Sequence, residues 1–198
     1  MPADSTLSDA PHRRGTVVID RILDATLSLL ATSGYAFSVE DVAQAAGVHK
    51  TTIYRHWKTK PVLVGAAIER LAAIEVPIPK SASPLDDLRA LALLVAKSLR
   101  SPVGAQAIRA TVAASAEDPE ITEVAHRFFA GRYEAAREIL GRGVAQGSIR
   151  SDVDPILVWQ AIVNPMHLRA ILGDPASDEV TEQLVALALV GALARVEP

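Results

Sequence analysis

The stretch that most limits how this chain can fold lies between Gly34 and Lys60. Apolar residues there recur at helical spacing, but in short runs that begin on a cap or end on a stop. Gly34 closes the preceding helix, and Ser38, with Asp41 in the position of a capping-box acid, opens the next. Val42, Ala43 and Ala46 form a small apolar face, and Gly47 ends that helix. A third short helix covers about Lys50 to Trp57, with Ile53 and Trp57 one turn apart as its buried pair. Thr59 caps a fourth, which starts at Lys60 and Pro61, where proline's missing N–H costs nothing. Two short helices joined by a tight glycine turn have the spacing of a helix-turn-helix.

The same stretch is chemically polarised. "GVHKTTIYRHWKTK", residues 47–60, holds four cations, two histidines, two aromatics and no acid, in a chain whose formal net charge is −3. Net charge is +1 over residues 1–60 and −4 over 61–198, so clustering rather than total charge is the signal. A helix entering a major groove about 12 Å wide must present short polar groups or long cations. Lys50, Thr51, Thr52, Tyr54, Arg55 and His56 meet that need, while Ile53 and Trp57 hold the helix to its domain. The competing reading is a solvated charged face.

Elsewhere the pattern is helical throughout. A first helix over 16–33 follows from Ile19, Ile22, Leu23, Leu27 and Leu30. Residues 1–15 read as a flexible arm, in which His12, Arg13 and Arg14 either touch phosphate or a minor groove or form a solvated tail. "EVPIPKSASP", residues 75–84, is a loop, and helices are expected over 84–100, 102–116, 119–146, 154–173 and 178–195. No alternating stretch bounded by hairpin signals occurs, so the expected class is all-α. With aromatics at 4% and hydrophobic residues at 49%, aliphatic side chains must supply the core.

Several chemistries are disfavoured. There is no cysteine, which removes disulfides and thiolate metal sites. The histidines, at 12, 49, 56, 126 and 167, form no i, i+4 pair, and neither a phosphate-cradling glycine loop nor a nucleophile elbow is present. The expectation is no metal, no cofactor, no catalytic residues and no enzyme activity. The first residues lack the apolar core of a secretory signal, and the longest apolar run, residues 184–194, is too short to span a bilayer. A cytoplasmic protein without membrane attachment is expected.

The segment "ILDATLSLLATSGYAFSVEDVAQAAGVHKTTIYRHWKTKPVLVGAAI" resembles the TetR family of bacterial transcriptional regulators. The resemblance covers roughly residues 17–68 and rests on the first-helix aliphatic pattern, the block around Ser38–Val48 and the "K-x-T-I-Y-x-H-W-x-x-K" segment. It implies an N-terminal helix-turn-helix domain over 16–60 and a C-terminal helical ligand-binding and dimerisation domain over 61–198. It also implies that Lys50, Thr51 and Thr52 open the recognition helix and touch bases and backbone, and that Tyr54 and His56 meet phosphates. Ser38 and Val39 then lie near the DNA backbone, and Lys60 adds a cation to a helix N-terminus that already attracts phosphate. Trp57 and Lys58 stand where the family commonly has Phe and Pro, and His49 where a small hydroxyl residue is common, which bears on base readout at the helix start.

What this implies is a ligand-responsive repressor, bound as a homodimer to a palindromic double-stranded operator and released by a small, partly apolar effector. A helical small-molecule-binding protein or enzyme without specific DNA binding is the alternative. Candidate effector contacts are the polar or aromatic residues inside apolar helices: Gln106, Arg109, His126, Phe129, Tyr133, Trp159, Asn164, Met166 and His167. Asn164-Pro165 marks a bend. The dimer face is expected on the last two helices, with Val180, Leu184, Leu187 and Gly191 on one and Ile156, Val163 and Leu168 on the other.

Overall fold

The computed structural model describes residues 10–193, with side chains from residue 16 on. Among the described residues the regular structure is helical: α1 (Ala10–Ser33), α2 (Val39–Ala46), α3 (Lys50–His56), α4 (Lys60–Glu75), α5 (Pro84–Arg100), α6 (Pro102–Ser115), α7 (Pro119–Ala145), α8 (Pro155–Ile171) and α9 (Asp178–Ala192). An isolated antiparallel bridge joins Ile149 to Leu193. α1 begins at Ala10, earlier than the expected Thr16, because Pro11 falls in the first turn, where it breaks no helical hydrogen bond. Residues 10–15 of the expected arm are thus helical, residues 1–9 lie outside the described residues, and so do the side chains of His12, Arg13 and Arg14.

Local chemistry fixes the helix ends. Ser38 Oγ accepts from the Asp41 N–H at 3.1 Å while Asp41 Oδ2 accepts from the Ser38 N–H at 2.7 Å, a complete capping box. Gly47 adopts φ 62°, and its N–H closes on the carbonyls of Ala43 and Gln44. Pro84, Pro102, Pro119 and Pro155 each follow a capping Ser or Asp whose side chain accepts a first-turn N–H.

Two cores result. The first gathers Ile22, Leu27 and Leu30 of α1, Val42 of α2, Ile53 of α3 and Trp57. It continues into Leu63, Val64 and Ala67 of α4, Ala107, Ala110 and Ala114 of α6, and Ile121 and Val124 of α7. The expected boundary at residue 60 therefore does not coincide with a gap in packing. The second core is built on Leu88, Leu91, Ile139, Leu140, Ile162 and Met166, each at most 1% exposed. Met166, a candidate effector contact, is packed in this core. Each such Leu or Ile contributes roughly 1.5–3 kcal/mol on burial.

The loop between α4 and α5 is tied down by one buried carboxylate. Asp87, 2% exposed, accepts from the Ser81 N–H at 2.9 Å and from the Arg142 guanidinium, which also donates to the Ser81 carbonyl at 2.7 Å. Burial alone would raise the Asp87 pKa, but the Arg142 and Ser81 hydrogen bonds outweigh it and hold the carboxyl below its ordinary value.

Candidate nucleic-acid interface and effector cavity

α3 splits cleanly by face. Ile53 and Trp57 are 1% and 8% exposed and anchor the helix, whereas Lys50, Thr51, Tyr54, Arg55 and His56 are exposed and Thr52 is half-buried. Arg55 and Lys58 make no ion pair among the described residues, and Lys50 holds an exposed pair with Glu40 at 3.1 Å. Such a pair contributes little in water and exchanges readily for another anion. His49 takes the N-cap position of α3 without a side-chain cap bond.

Two of the expected DNA contacts are placed differently. The side chain of Val39 is 7% exposed and belongs to the core, so only its backbone N–H, at the first turn of α2, is left to face a phosphate. Lys60 folds inward: Nζ donates to the Tyr35 carbonyl at 2.6 Å and lies 3.7 Å from the Tyr35 ring centroid and 4.7 Å from that of Phe37. Burial lowers the Lys60 pKa, with Asp118 and Asp41 acting the other way. Its cation is therefore spent on aromatic faces rather than aimed at solvent. Ser38 is exposed, with its hydroxyl engaged in the capping box.

Sequence reasoning missed Arg21 of α1, whose guanidinium donates to the Ala46 carbonyl and fixes the turn between α2 and α3. A Cβ on Gly47 would lie 2.9 Å from that guanidinium, a second reason for glycine there. It also missed the polar link from this lobe to α7. Thr59, the cap of α4, donates to Glu120 at 2.6 Å, and the Tyr35 hydroxyl donates to Asp118 at 3.3 Å. Burial and the nearby Asp118 carboxylate raise the Tyr35 pKa.

Behind α4 lies a mostly apolar cavity, with about 100 Å³ of room for the centres of water-sized spheres, walled by α4, α5, α6, α7 and α8. That exceeds the space one water needs several times over. Of the candidate effector contacts, Phe129, Tyr133, Trp159 and His167 line it. Gln106, Arg109, His126 and Asn164 do not. Gln106 and Arg109 bond each other at 3.2 Å, and Arg109 straps α6 to the Ala170 carbonyl at 3.0 Å. His126 is exposed, and Asn164, also exposed, accepts from the Tyr133 hydroxyl at 3.4 Å.

His167 Nδ1 faces the Val163 carbonyl at 3.0 Å. A carbonyl only accepts, so Nδ1 carries the proton and Nε2 is left as an acceptor. Burial pushes the pKa of this ring down to about 4, against a smaller opposite effect of the Val163 bond. Its ring meets Phe129 edge-on at 5.4 Å.

The cavity also contains two groups that sequence reasoning did not single out. Thr111, 6% exposed, has a buried Oγ1 with no hydrogen-bond partner. Arg132 donates to the Val76 carbonyl at 2.7 Å, forms no ion pair among the described residues, and has its pKa lowered by burial alone. Neither carries a local signal: Thr111 stands in an alanine-rich run and Arg132 among the many charges of α7.

A recognition helix on a capped turn, joined through α4 to a mostly apolar cavity, is the arrangement against which relatives can be compared. Residues 22–67 match the family of bacterial regulatory proteins, tetR family, and residues 78–188 match the tetracyclin repressor-like C-terminal domain. The chain belongs to the TetR family of transcriptional regulators. The HTH-type transcriptional regulator AqdR of Rhodococcus erythropolis is 36% identical over 181 residues, covering 90% of this chain and 86% of that protein. The DNA-binding transcriptional repressor TetR of Mycobacteroides abscessus is 29% identical over 182 residues, 87% and 92% of the two chains. Among solved structures, the TetR family transcription regulator SCO0332 superposes with a TM-score of 0.74 at 26% identity, over 91% of this chain and 99% of that one.

The regulator also carries an exposed aliphatic face on its last two helices. Leu157, Leu168 and Leu172 in and after α8 are 61%, 57% and 74% exposed, and Leu187 and Val190 of α9 are 72% and 81% exposed. Val163, expected on this face, is instead 2% exposed and lines the cavity, because the helical turn that presents Leu168 outward points it inward. No helix among the described residues is long and apolar enough to cross a membrane.

Proposed function

We propose that this TetR-family regulator is a cytoplasmic, non-catalytic repressor that binds a palindromic operator as a homodimer and is released by a small, largely apolar effector. The carrying observation is that α4 does two jobs. Its N-terminus is packed on the reading head through Lys60 and Leu63, and its C-terminal half walls the cavity through Ile68, Leu71 and Ala72. A molecule that fills the cavity and moves α4 moves α3 with it.

Lys50, Thr51 and Thr52 face bases and backbone in this reading, Tyr54, Arg55 and His56 face phosphates and groove edges, and Ser38 with the Val39 N–H lies along the backbone. Lys60 holds the reading head together from inside. The leucine-rich face of α8 and α9 is the dimer face, and the printed name of the Mycobacteroides abscessus relative, a repressor, supports the direction of control. The effector must bind the free and operator-bound dimers differently, since otherwise it shifts nothing.

Footprinting on DNA flanking the regulator's own gene tests this. Two protected half-sites related by a two-fold axis, roughly 34–36 Å apart or a multiple of that, are expected. No protected site at any protein concentration contradicts it.

A further inference from the structure

The cavity holds a buried hydroxyl without a partner and a cation without a counter-charge among the described residues, and their separation is set by helix geometry. Arg132 brings a guanidinium to the wall with a single bond, to the Val76 carbonyl, and no carboxylate. Glu75, the acid next to Val76, is taken by the Ser98 hydroxyl instead. A half-buried guanidinium without a counter-charge is partly stripped of water, and a bound anion offsets that cost. Thr111 brings a hydroxyl that is buried and unpartnered. Such an atom costs about 1–3 kcal/mol until something bonds it.

Helix register sets these groups about two turns apart along the cavity wall. Thr111 on α6 and Val124 on α7 stand at similar depths from the short connection between those helices, and Gly65 of α4 packs there, where a Cβ would lie 2.5 Å from Val124 Cγ1. Arg132 is two turns further along α7, beside Val76 at the far end of α4. Eight residues of helix advance roughly 12 Å. Between the two groups the wall is aliphatic and aromatic, with Ile68, Leu71, Ile108, Phe128 and Phe129.

We infer that the effector is an elongated apolar carboxylate with a hydrogen-bonding oxygen at its other end, the carboxylate on Arg132 and the oxygen on the Thr111 hydroxyl. This rests on the effector reading above. It goes beyond it by fixing the ligand's charge, its length and the two protein groups that recognise it. A guanidinium takes a carboxylate in a planar, two-bond geometry, and the aliphatic wall excludes competing water.

Calorimetric titration of the full-length regulator with 10-hydroxydecanoate, decanoate and 1,10-decanediol tests it. The hydroxy acid is expected to bind at least about tenfold more tightly than the diol, the range of a hydrogen bond to a charged group. It is expected to bind roughly threefold to tenfold more tightly than decanoate, the range of a neutral hydrogen bond. Arg132→Met should erase the first preference and Arg132→Lys should keep part of it, while Thr111→Val should erase only the second. If Arg132→Met does not fold, the wild-type comparison of acid with diol decides alone. A diol that binds as tightly as the acid, an acid preference that survives Arg132→Met, or no binding of either acid overturns the inference. Those results leave the operator footprint untouched, so loss of this inference and loss of the repressor reading are told apart.

Discussion

The reading head and the cavity are built by opposite means. α2 and α3 are set by groups a few residues apart: Ser38 with Asp41, Gly47 with Ala43, Ile53 with Trp57. The cavity is set by groups far apart in the chain: Val76 with Arg132, and Phe129 with His167. A local device fails locally when it is broken, whereas a tertiary tie spreads its loss over every helix it joins. The two halves should therefore respond differently to substitution.

The largest effect is expected at Asp87. Asp87→Ala leaves Arg142 half-buried and the Ser81 N–H unpaired, and should cost about 3–5 kcal/mol in chemical denaturation. The pH dependence has a definite sign. The folded carboxyl has a lowered pKa, so its contribution is complete above the unfolded carboxylate range and is lost as pH falls through the folded value. Gly65→Ala comes next, at about 1–3 kcal/mol, because its Cβ would overlap Val124 and force α4 from α7. That substitution should also weaken operator binding, since it moves the helix shared by both halves. Ser38→Ala should cost only about 1 kcal/mol, the value of one cap, and leave effector binding unchanged.

Smaller still is a contrast within the reading head itself. Arg55→Ala should reduce the slope of log affinity against log salt by about one, the signature of one lost phosphate contact. Lys60→Met should leave that slope unchanged and lower stability instead. An unchanged slope for Arg55→Ala together with a reduced one for Lys60→Met would reverse the assignment. At the low end lies His167. Its folded pKa of about 4 is below the ordinary value of about 6.5, so the unfolded chain binds more protons between those values. Stability should fall as pH drops through that window, and His167→Leu should flatten the melting temperature across it.

What could be read from sequence follows the same division. The helices from Val39 to Asp178 begin and end close to the expected positions, because caps, glycines and prolines act on their own neighbours. Ile53 and Trp57 were recognisable as anchors from spacing alone. The cavity was only partly legible. Phe129, Tyr133, Trp159 and His167 reached it because large or polar groups on apolar helices have few other places to go. Gln106 and Arg109 had the same look but satisfied each other, and Arg132 was indistinguishable from a surface arginine until Val76 was seen to hold it. Lys60 shows a related limit: its position at a helix N-terminus points to phosphate, and only the fold brings Tyr35 and Phe37, far back in sequence, to its cation.

The central claim is that two copies of α3 are held at the groove repeat by one dimer. The chain has no cysteine, so Lys58→Cys offers a single labelling site in each protomer at the exposed edge of the reading head. Pulsed dipolar spectroscopy on the spin-labelled regulator bound to its operator measures the separation directly. A single narrow distance matching reading heads roughly 34–36 Å apart, or a multiple of that, is predicted. The absence of any distance between protomers, or one that cannot place both helices in successive grooves, would contradict the account.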